Sequence, residues 1–289
     1  MRRFMILIPI LMVGLLASLA ACAGPEAEGS QFDPRDLSGV WQLREGDRGL
    51  SPNVPPMTEE GEARLYANIP VRGRALSPPE PGGVLPELEE GEHRGRARAV
   101  MPAFSNDPMM QCNPQGFPRL LFDPELVEFV HLEDRFLQFF NWENRHREIW
   151  LDGREVPSDE DRVNLGLAWY GHSVGEWQED TLLVQTFGLD DRGWIDVFGF
   201  PKSDEARFEE RYRRIDADTI ELQTTMYDPK YYTEPWVSDT KVFRREPPES
   251  YTFFGWSGLF SGLVDGICAP LDEVDDFNIT VRDPAGTAQ

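Results

Sequence analysis

The chain has 289 residues, of which 40% are hydrophobic, and a formal net charge of −23 at pH 7. Nucleic acids and anionic lipid headgroups are therefore disfavoured as partners, because like charges repel. The acidic stretch 272–276 lacks the glycine that a calcium-binding loop requires. We expect no cofactor and no metal, and we interpret the acidity as favouring solubility.

The first residues are arranged like an export signal. Arg2 and Arg3 precede an apolar run over 4–20, and small residues then lead to a cysteine in Leu19-Ala20-Ala21-Cys22. This pattern resembles the lipobox of bacterial lipoproteins, which implies removal of residues 1–21 and attachment of lipid to Cys22. A transmembrane helix is the alternative interpretation, although about 17 apolar residues is near the lower limit for crossing a bilayer.

Residues 22–35 are small, polar and acidic, and they predict a flexible lipidated tether. In the lipoproteins of Gram-negative bacteria, a residue such as Ala23 after the cysteine implies sorting to the outer membrane. The expected location is therefore the cell envelope, on the periplasmic side of the outer membrane. In that oxidising compartment Cys112 and Cys268 form an even pair and predict a disulfide, with two buried thiols as the alternative.

The remaining residues, 36–289, are expected to form a single domain. Residues 36–43 predict a turn followed by a first strand, and the Gly39-Val40-Trp41 pattern resembles the opening of lipocalin-like barrels. That resemblance implies a tryptophan that closes one end of a barrel. Thr58 can cap a short helix over 59–68. Residues 70–118 are rich in proline, glycine and charge and predict a long irregular loop, and 247–289 predict an irregular end.

From residue 119 the pattern becomes that of strands. Short β-branched and aromatic runs recur every 8 to 12 residues, separated by turn residues. We expect an all-β fold, an antiparallel meander closed into a lipocalin-like barrel, because closure removes exposed sheet edges. A β-sandwich is the alternative. The predicted strands are 119–122, 126–131, 135–142, 145–150, 167–177, 181–187, 206–215, 218–227 and 237–245.

Residues 171–175 match the G-x-S-x-G pattern of a hydrolase nucleophile. That pattern needs a strand, a sharp turn and a helix, whereas here a turn and another strand follow. Every histidine of the chain also precedes Ser173, which is the reverse of the order in that hydrolase class. We interpret the match as accidental.

The same segment, 169–186, reads WYGHSVGEWQEDTLLVQT. It resembles a family of uncharacterised bacterial envelope proteins with the pattern W-Y-G-x-S-x-G-x-W-x-x-D-T-L, and the stretches 106–108, 112–119, 147–154 and 210–212 share the resemblance. The family implies no known activity. In a continuous strand, Trp169, Ser173 and Trp177 would share one face, and Tyr170 and His172 would share the other.

Charged and aromatic side chains in the predicted strands supply the candidate site. A charge that points into a barrel must be paired, and Glu148 and Glu210 are candidates because each shares a strand face with aromatic residues. His131, His146 and His172 could approach Glu148, but two ligands on one strand do not make a metal site. The ligand-binding candidates are Trp169, Tyr170, His172, Ser173, Tyr212 and Arg119, and the candidate general bases are Glu148, His172 and Glu210.

Three functions fit this pattern. The first is a non-enzymatic lipoprotein that binds or carries a small hydrophobic ligand. The second is a cofactor-free isomerase or hydrolase on the same scaffold, and the third is an interaction or assembly lipoprotein. A barrel alone does not choose among them.

Overall fold

A computed structural model describes residues 32–71, 99, 105–141, 145–158 and 163–247. Strands dominate these ranges, as the alternating sequence pattern predicts. Ten strands follow one another along the chain: β1 (Gly39–Glu45), β2 (Leu126–His131), β3 (Arg135–Phe140), β4 (Arg145–Trp150), β5 (His172–Gln178), β6 (Thr181–Phe187), β7 (Arg207–Asp216), β8 (Thr219–Tyr227), β9 (Trp236–Val237) and β10 (Lys241–Arg245).

The sheet closes on itself into a barrel. Strands β1 to β8 are neighbours in chain order, and β10 pairs with both β8 and β1. Phe243 of β10 lies opposite Leu43 of β1 on one side and Ile220 of β8 on the other. The two-residue strand β9 pairs with the same edge of β8 as β10 does, at Thr225 and Met226. The expected all-β barrel is therefore confirmed, and the β-sandwich is excluded.

One pair of strands departs from the expected antiparallel meander. Strands β4 and β5 run parallel, and their short ladder joins Ile149 with Ser173 and Trp150 with Val174. A parallel pair needs a crossover connection, which here is the segment 151–171. The barrel is therefore mixed, and we call the junction of β4 and β5 the seam.

Three strand boundaries differ from the sequence prediction. Residues 119–122 form a 3-10 helix, because Pro118 takes a helical conformation (φ −89°, ψ −3°) at its start. The strand predicted over 167–177 begins at His172, because Gly171 has φ +65° and turns the chain. The strand predicted over 237–245 is divided into β9 and β10.

The predicted helix is confirmed as α1 (Glu59–Ala67), and Thr58 caps it by accepting a hydrogen bond from the backbone N–H of Gly61. A second 3-10 helix, Pro108–Gln111, lies within the predicted loop 70–118, much of which falls outside the described ranges. Within those ranges, no helix has the length and apolar character needed to span a bilayer.

Inward-facing aromatic side chains fill much of the barrel. The rings of Phe129 and Phe136 pack edge to face at 5.0 Å, and Tyr212 lies 6.2 and 5.7 Å from them. Trp41 is fully buried, and its indole N–H donates to the carbonyl of Leu37 at 3.0 Å. The interior is a packed core rather than an open cup.

Several predictions concern residues outside the described ranges. The signal segment and Cys22 precede Phe32, and Cys268 follows residue 247. Lipidation of Cys22, the tether, the Cys112–Cys268 disulfide and the irregular end at 247–289 therefore stay predictions.

Candidate functional site

A buried ion pair lies inside the barrel. Nη2 of Arg147 on β4 is 2.6 Å from Oε1 of Glu210 on β7, and Nη1 is 2.8 Å from Oε2. Both side chains are almost fully buried. This confirms that an inward charge is paired, and it identifies Arg147 as the partner of Glu210.

Four polar side chains add hydrogen bonds to this pair. The hydroxyl of Tyr212 donates to Oε2 of Glu210 at 2.8 Å, and the hydroxyl of Thr186 donates to Oε1 at 2.9 Å. Nη2 of Arg147 also donates to the hydroxyl of Ser173 at 2.9 Å. Gln138 bridges the network, since its amide donates to the Tyr212 oxygen and its carbonyl accepts from Arg147.

This network holds Glu210 and Ser173 in structural roles. Both carboxylate oxygens of Glu210 accept two hydrogen bonds each, so the four lone-pair directions of the group are occupied. Burial and the neighbouring carboxylate of Glu210 raise the pKa of Tyr212 well above its usual range, which keeps its hydroxyl protonated and donating. Burial disfavours the charge on Arg147, but the attraction of Glu210 outweighs it and raises the pKa of the guanidinium.

A cavity that gathers four of the eight predicted residues lies at the seam, on the outer wall. It has a volume of about 340 Å³ and is bordered by outward-facing His146, Glu148 and Trp150 of β4, and by His172 and Val174 of β5. We call it the seam pocket. It exists because the chain turns at Gly171 and leaves the first part of β4 beside an open space.

The polar groups of the seam pocket are held by neighbours. Glu148 lies on the outer wall, not inside, and accepts from Nη1 of Arg135 at 3.0 Å. Nε2 of His172 lies 3.1 Å from the carbonyl oxygen of Gly166, and a carbonyl can only accept, so this nitrogen carries the proton. Arg154 lines the pocket with its guanidinium 3.8 Å from the centre of the Trp150 ring.

Phe187 forms the apolar floor of the seam pocket. It is at the outward position of β6, since Thr186 faces the interior network, yet it is only 3% exposed. Leu165 and Pro157 from the β4–β5 connection border the same pocket. The His172 ring packs beside Phe187, with the two ring centres 5.9 Å apart.

The other predicted ligand-binding residues lie elsewhere. The backbone carbonyl of Trp169 accepts from the N–H of Phe117 at 2.9 Å, and its ring is 4.9 Å from the guanidinium of Arg192. Arg119 is buried in a two-bond ion pair with Asp107, at 2.8 Å for each bond. Of the predicted set, Tyr170, His172, Ser173 and Glu148 border the seam pocket, and Trp169, Arg119, Tyr212 and Glu210 do not.

The three described histidines, His131, His146 and His172, do not gather at one site. His131 lies against the ring of Trp177 at 5.6 Å, and only His146 and His172 border the seam pocket. Among the described residues, no three His, Cys, Asp or Glu side chains are placed to hold a metal ion.

Two important residues of the seam pocket were not among the sequence candidates. Phe187 carried a usable signal, because it continues the outward positions of β6 after Gln185 and is apolar where a polar residue is expected. Trp150 is the aromatic residue that shares a face of β4 with Glu148, and its stacking on Arg154 follows from the turn at Asp152 and Gly153, where Asp152 binds the guanidinium.

No protein-family model, curated protein or solved structure matches this chain. The resemblance of residues 169–186 to bacterial envelope proteins stays a prediction. The functional argument therefore depends on the geometry of the barrel wall and its pockets.

Proposed function

We propose that this protein is a lipid-anchored envelope protein that binds a small, mostly apolar molecule with a polar group, and that the binding site is the seam pocket. The observation that carries the proposal is the seam itself. The parallel β4–β5 junction leaves a pocket of about 340 Å³ in the outer wall.

The composition of the seam pocket supports this ligand chemistry. Trp150, Leu165 and Val174 offer apolar surface, and His146, Glu148, Arg154 and His172 make a comparable part of the lining polar. Binding sites for small molecules use placed polar groups to fix the orientation of a ligand. The packed interior, by contrast, supports a ligand on the wall rather than in a central cavity.

Calorimetric titration with three probes tests the proposal: 1-octanol, 1-adamantanol and 2-naphthol. We expect at least one probe to bind the full chain, and Leu165→Gln to weaken that binding about fivefold by removing apolar contact. Leu132→Gln is the matched control, because Leu132 is 39% exposed, Leu165 is 49% exposed, and Leu132 is not among the residues that border the pocket.

The proposal fails if none of the three probes binds the folded chain. It also fails if Leu165→Gln and Leu132→Gln weaken binding equally, because the bound molecule would then lie away from the seam. Native mass spectrometry of the chain purified from its host membrane provides a second readout, in which we expect a co-purified small molecule.

The proposed anchor has a separate test. The lipobox-like residues 19–22 support transfer of lipid to Cys22, and several acyl chains together give a durable membrane attachment. In a Gram-negative host, radiolabelled palmitate should label the wild-type chain and the Cys112→Ser variant but not Cys22→Ser. Equal labelling of all three would refute this site.

A further inference from the structure

Phe187 is the meeting point of three pockets on the outer wall. It borders the seam pocket, a pocket of about 660 Å³ and another of about 170 Å³. The last two also share Arg207 of β7 and Tyr227 of β8. Pockets therefore adjoin one another from the seam across β6 and β7 to β8, with Phe187 as their shared border.

Strand alternation places this space outside the barrel. Phe187, Arg207 and Tyr227 are at outward positions, whereas Thr186 and Phe208 are buried at the alternate positions. A molecule in these pockets would lie across the strands on the outer wall. The packed interior need not open to admit it.

Strand spacing gives the length of this space. Neighbouring strands are roughly 4.8 Å apart, so β5 and β8 are separated by roughly 14 Å. An extended chain advances at most about 3.6 Å for every three bonds. An alkyl chain of about 12 bonds therefore spans the distance from β5 to β8, and a compact molecule of equal volume does not.

Charged side chains lie at both ends of this space. At the seam, the Arg154 guanidinium is paired with Asp152 and Arg135 is paired with Glu148, so a neutral group that both donates and accepts fits better than a bare charge. The pocket that reaches Tyr227 of β8 is also bordered by Val163 and Leu167 and by the charged residues Asp204, Glu205 and Arg207. Asp204 is paired with Lys230 at 3.1 Å.

We infer that the ligand is a linear, single-chain amphiphile with a neutral hydroxyl or amide group, lying across the outer wall from β5 to β8. This inference rests on the proposed function and specifies the shape of the molecule that the seam pocket accepts. The polar group of the ligand binds at the seam, and its alkyl chain passes Phe187 and ends beside Tyr227.

The test is a calorimetric titration of the full chain with n-alkanols of 6 to 14 carbons. The dissociation constant should fall two- to fourfold for each added methylene and become constant near 12 carbons. 1-Decanol and 1-adamantanol have equal numbers of carbons, and we expect the linear alcohol to bind at least tenfold more tightly.

A variant at the β8 end tests where the alkyl chain of the ligand lies. Tyr227→Ser should weaken binding of 1-dodecanol about fivefold and leave binding of 1-hexanol unchanged, because the shorter chain does not reach β8. Tyr66→Ser on α1 is the control, since Tyr66 is 46% exposed and Tyr227 is 44% exposed. Circular dichroism establishes that both variants are folded.

The results separate this inference from the proposed function. If 1-adamantanol binds as tightly as 1-decanol, or if affinity is independent of chain length, the linear ligand is refuted while the seam pocket stands as a site. If Tyr227→Ser weakens hexanol and dodecanol equally, the proposed path across β6 and β7 is wrong. If no probe binds, the proposed function fails as well.

Discussion

Arg147 and Glu210 form a two-bond ion pair across the interior of the barrel, with nitrogen–oxygen distances of 2.6 and 2.8 Å. Their strands, β4 and β7, are not neighbours in the sheet. Phe117 covers the pair, with its ring centre 4.0 Å from the guanidinium carbon of Arg147. The pair therefore links two walls of the barrel within an aromatic core.

Removal of one partner of this pair should be costly. Glu210→Leu would leave the Arg147 charge buried and unpaired, and we expect it to lower the free energy of unfolding by roughly 3 to 5 kcal/mol. The double variant Arg147→Met/Glu210→Leu removes both charges and should be more stable than Glu210→Leu alone. Urea denaturation measures both values. If the double variant loses as much unfolding free energy as Glu210→Leu and Arg147→Met lose when added together, the two side chains do not act as a pair.

Lys202 should make stability depend on pH. Its ammonium is fully buried and donates to the carbonyl of Gly193 at 2.7 Å, and burial lowers its pKa to about 7. Between that value and the ordinary 10.5, the unfolded chain binds more protons than the folded chain, so the free energy of unfolding rises with pH. From pH 7 to 9 we expect the titration of Lys202 to raise the free energy of unfolding by roughly 1.4 kcal/mol per pH unit.

Lys202→Met measures that contribution directly. The difference in unfolding free energy between wild type and Lys202→Met should grow in favour of wild type as pH rises from 7 to 9, and it should be constant below pH 6. Lys230→Met on the surface is the control and should show no such growth. Parallel curves for wild type and Lys202→Met would rule out the titration of Lys202 in this range.

Substitution of Gly171 by alanine should lower thermal stability more than the same substitution at Gly153, which has a similar backbone conformation. A Cβ atom at Gly171 would lie 2.7 Å from the carbonyl oxygen of Phe187, whereas one at Gly153 would meet nothing within 4 Å. Both have positive φ, so alanine is strained at each by about 1 kcal/mol. Gly171→Ala should cost a further 1 to 3 kcal/mol or so through the steric contact. Equal thermal stability of the two variants would count against the close approach of Gly171 to the Phe187 carbonyl.

The cysteine prediction is tested by alkylation. Cys112 and Cys268 should not react with iodoacetamide in the unfolded, unreduced Cys22→Ser chain, and two carbamidomethyl groups should appear after reduction. On the chain-entropy model, a bridge over so long a loop stabilises the fold by roughly 4 to 5 kcal/mol. Two labelled thiols before reduction would show that the alternative, a pair of free thiols, is correct.

Much of the architecture follows from local patterns. Alternation in β7 and β8 and the Thr58 cap of α1 are properties of neighbouring residues, and each is confirmed. The 3-10 helix at 119–122 was mistaken for a strand, because a short apolar run can be buried in either form. Its true conformation depends on Pro118 and on the barrel that Leu120 and Phe122 enter.

The sequence by itself determined alternating strands and charged residues that need partners, because periodicity and the cost of burying charge act locally. It left a barrel and a β-sandwich as alternatives, and the pairing of β10 with β1 and β8 decided between them. The tertiary structure alone decided which residues meet. Arg147 and Glu210 are 63 positions apart, and β4 meets β5 in parallel only because the β4–β5 connection crosses the wall and Gly171 turns the chain into β5. The seam pocket is a product of that long-range pairing, and no local pattern encodes it.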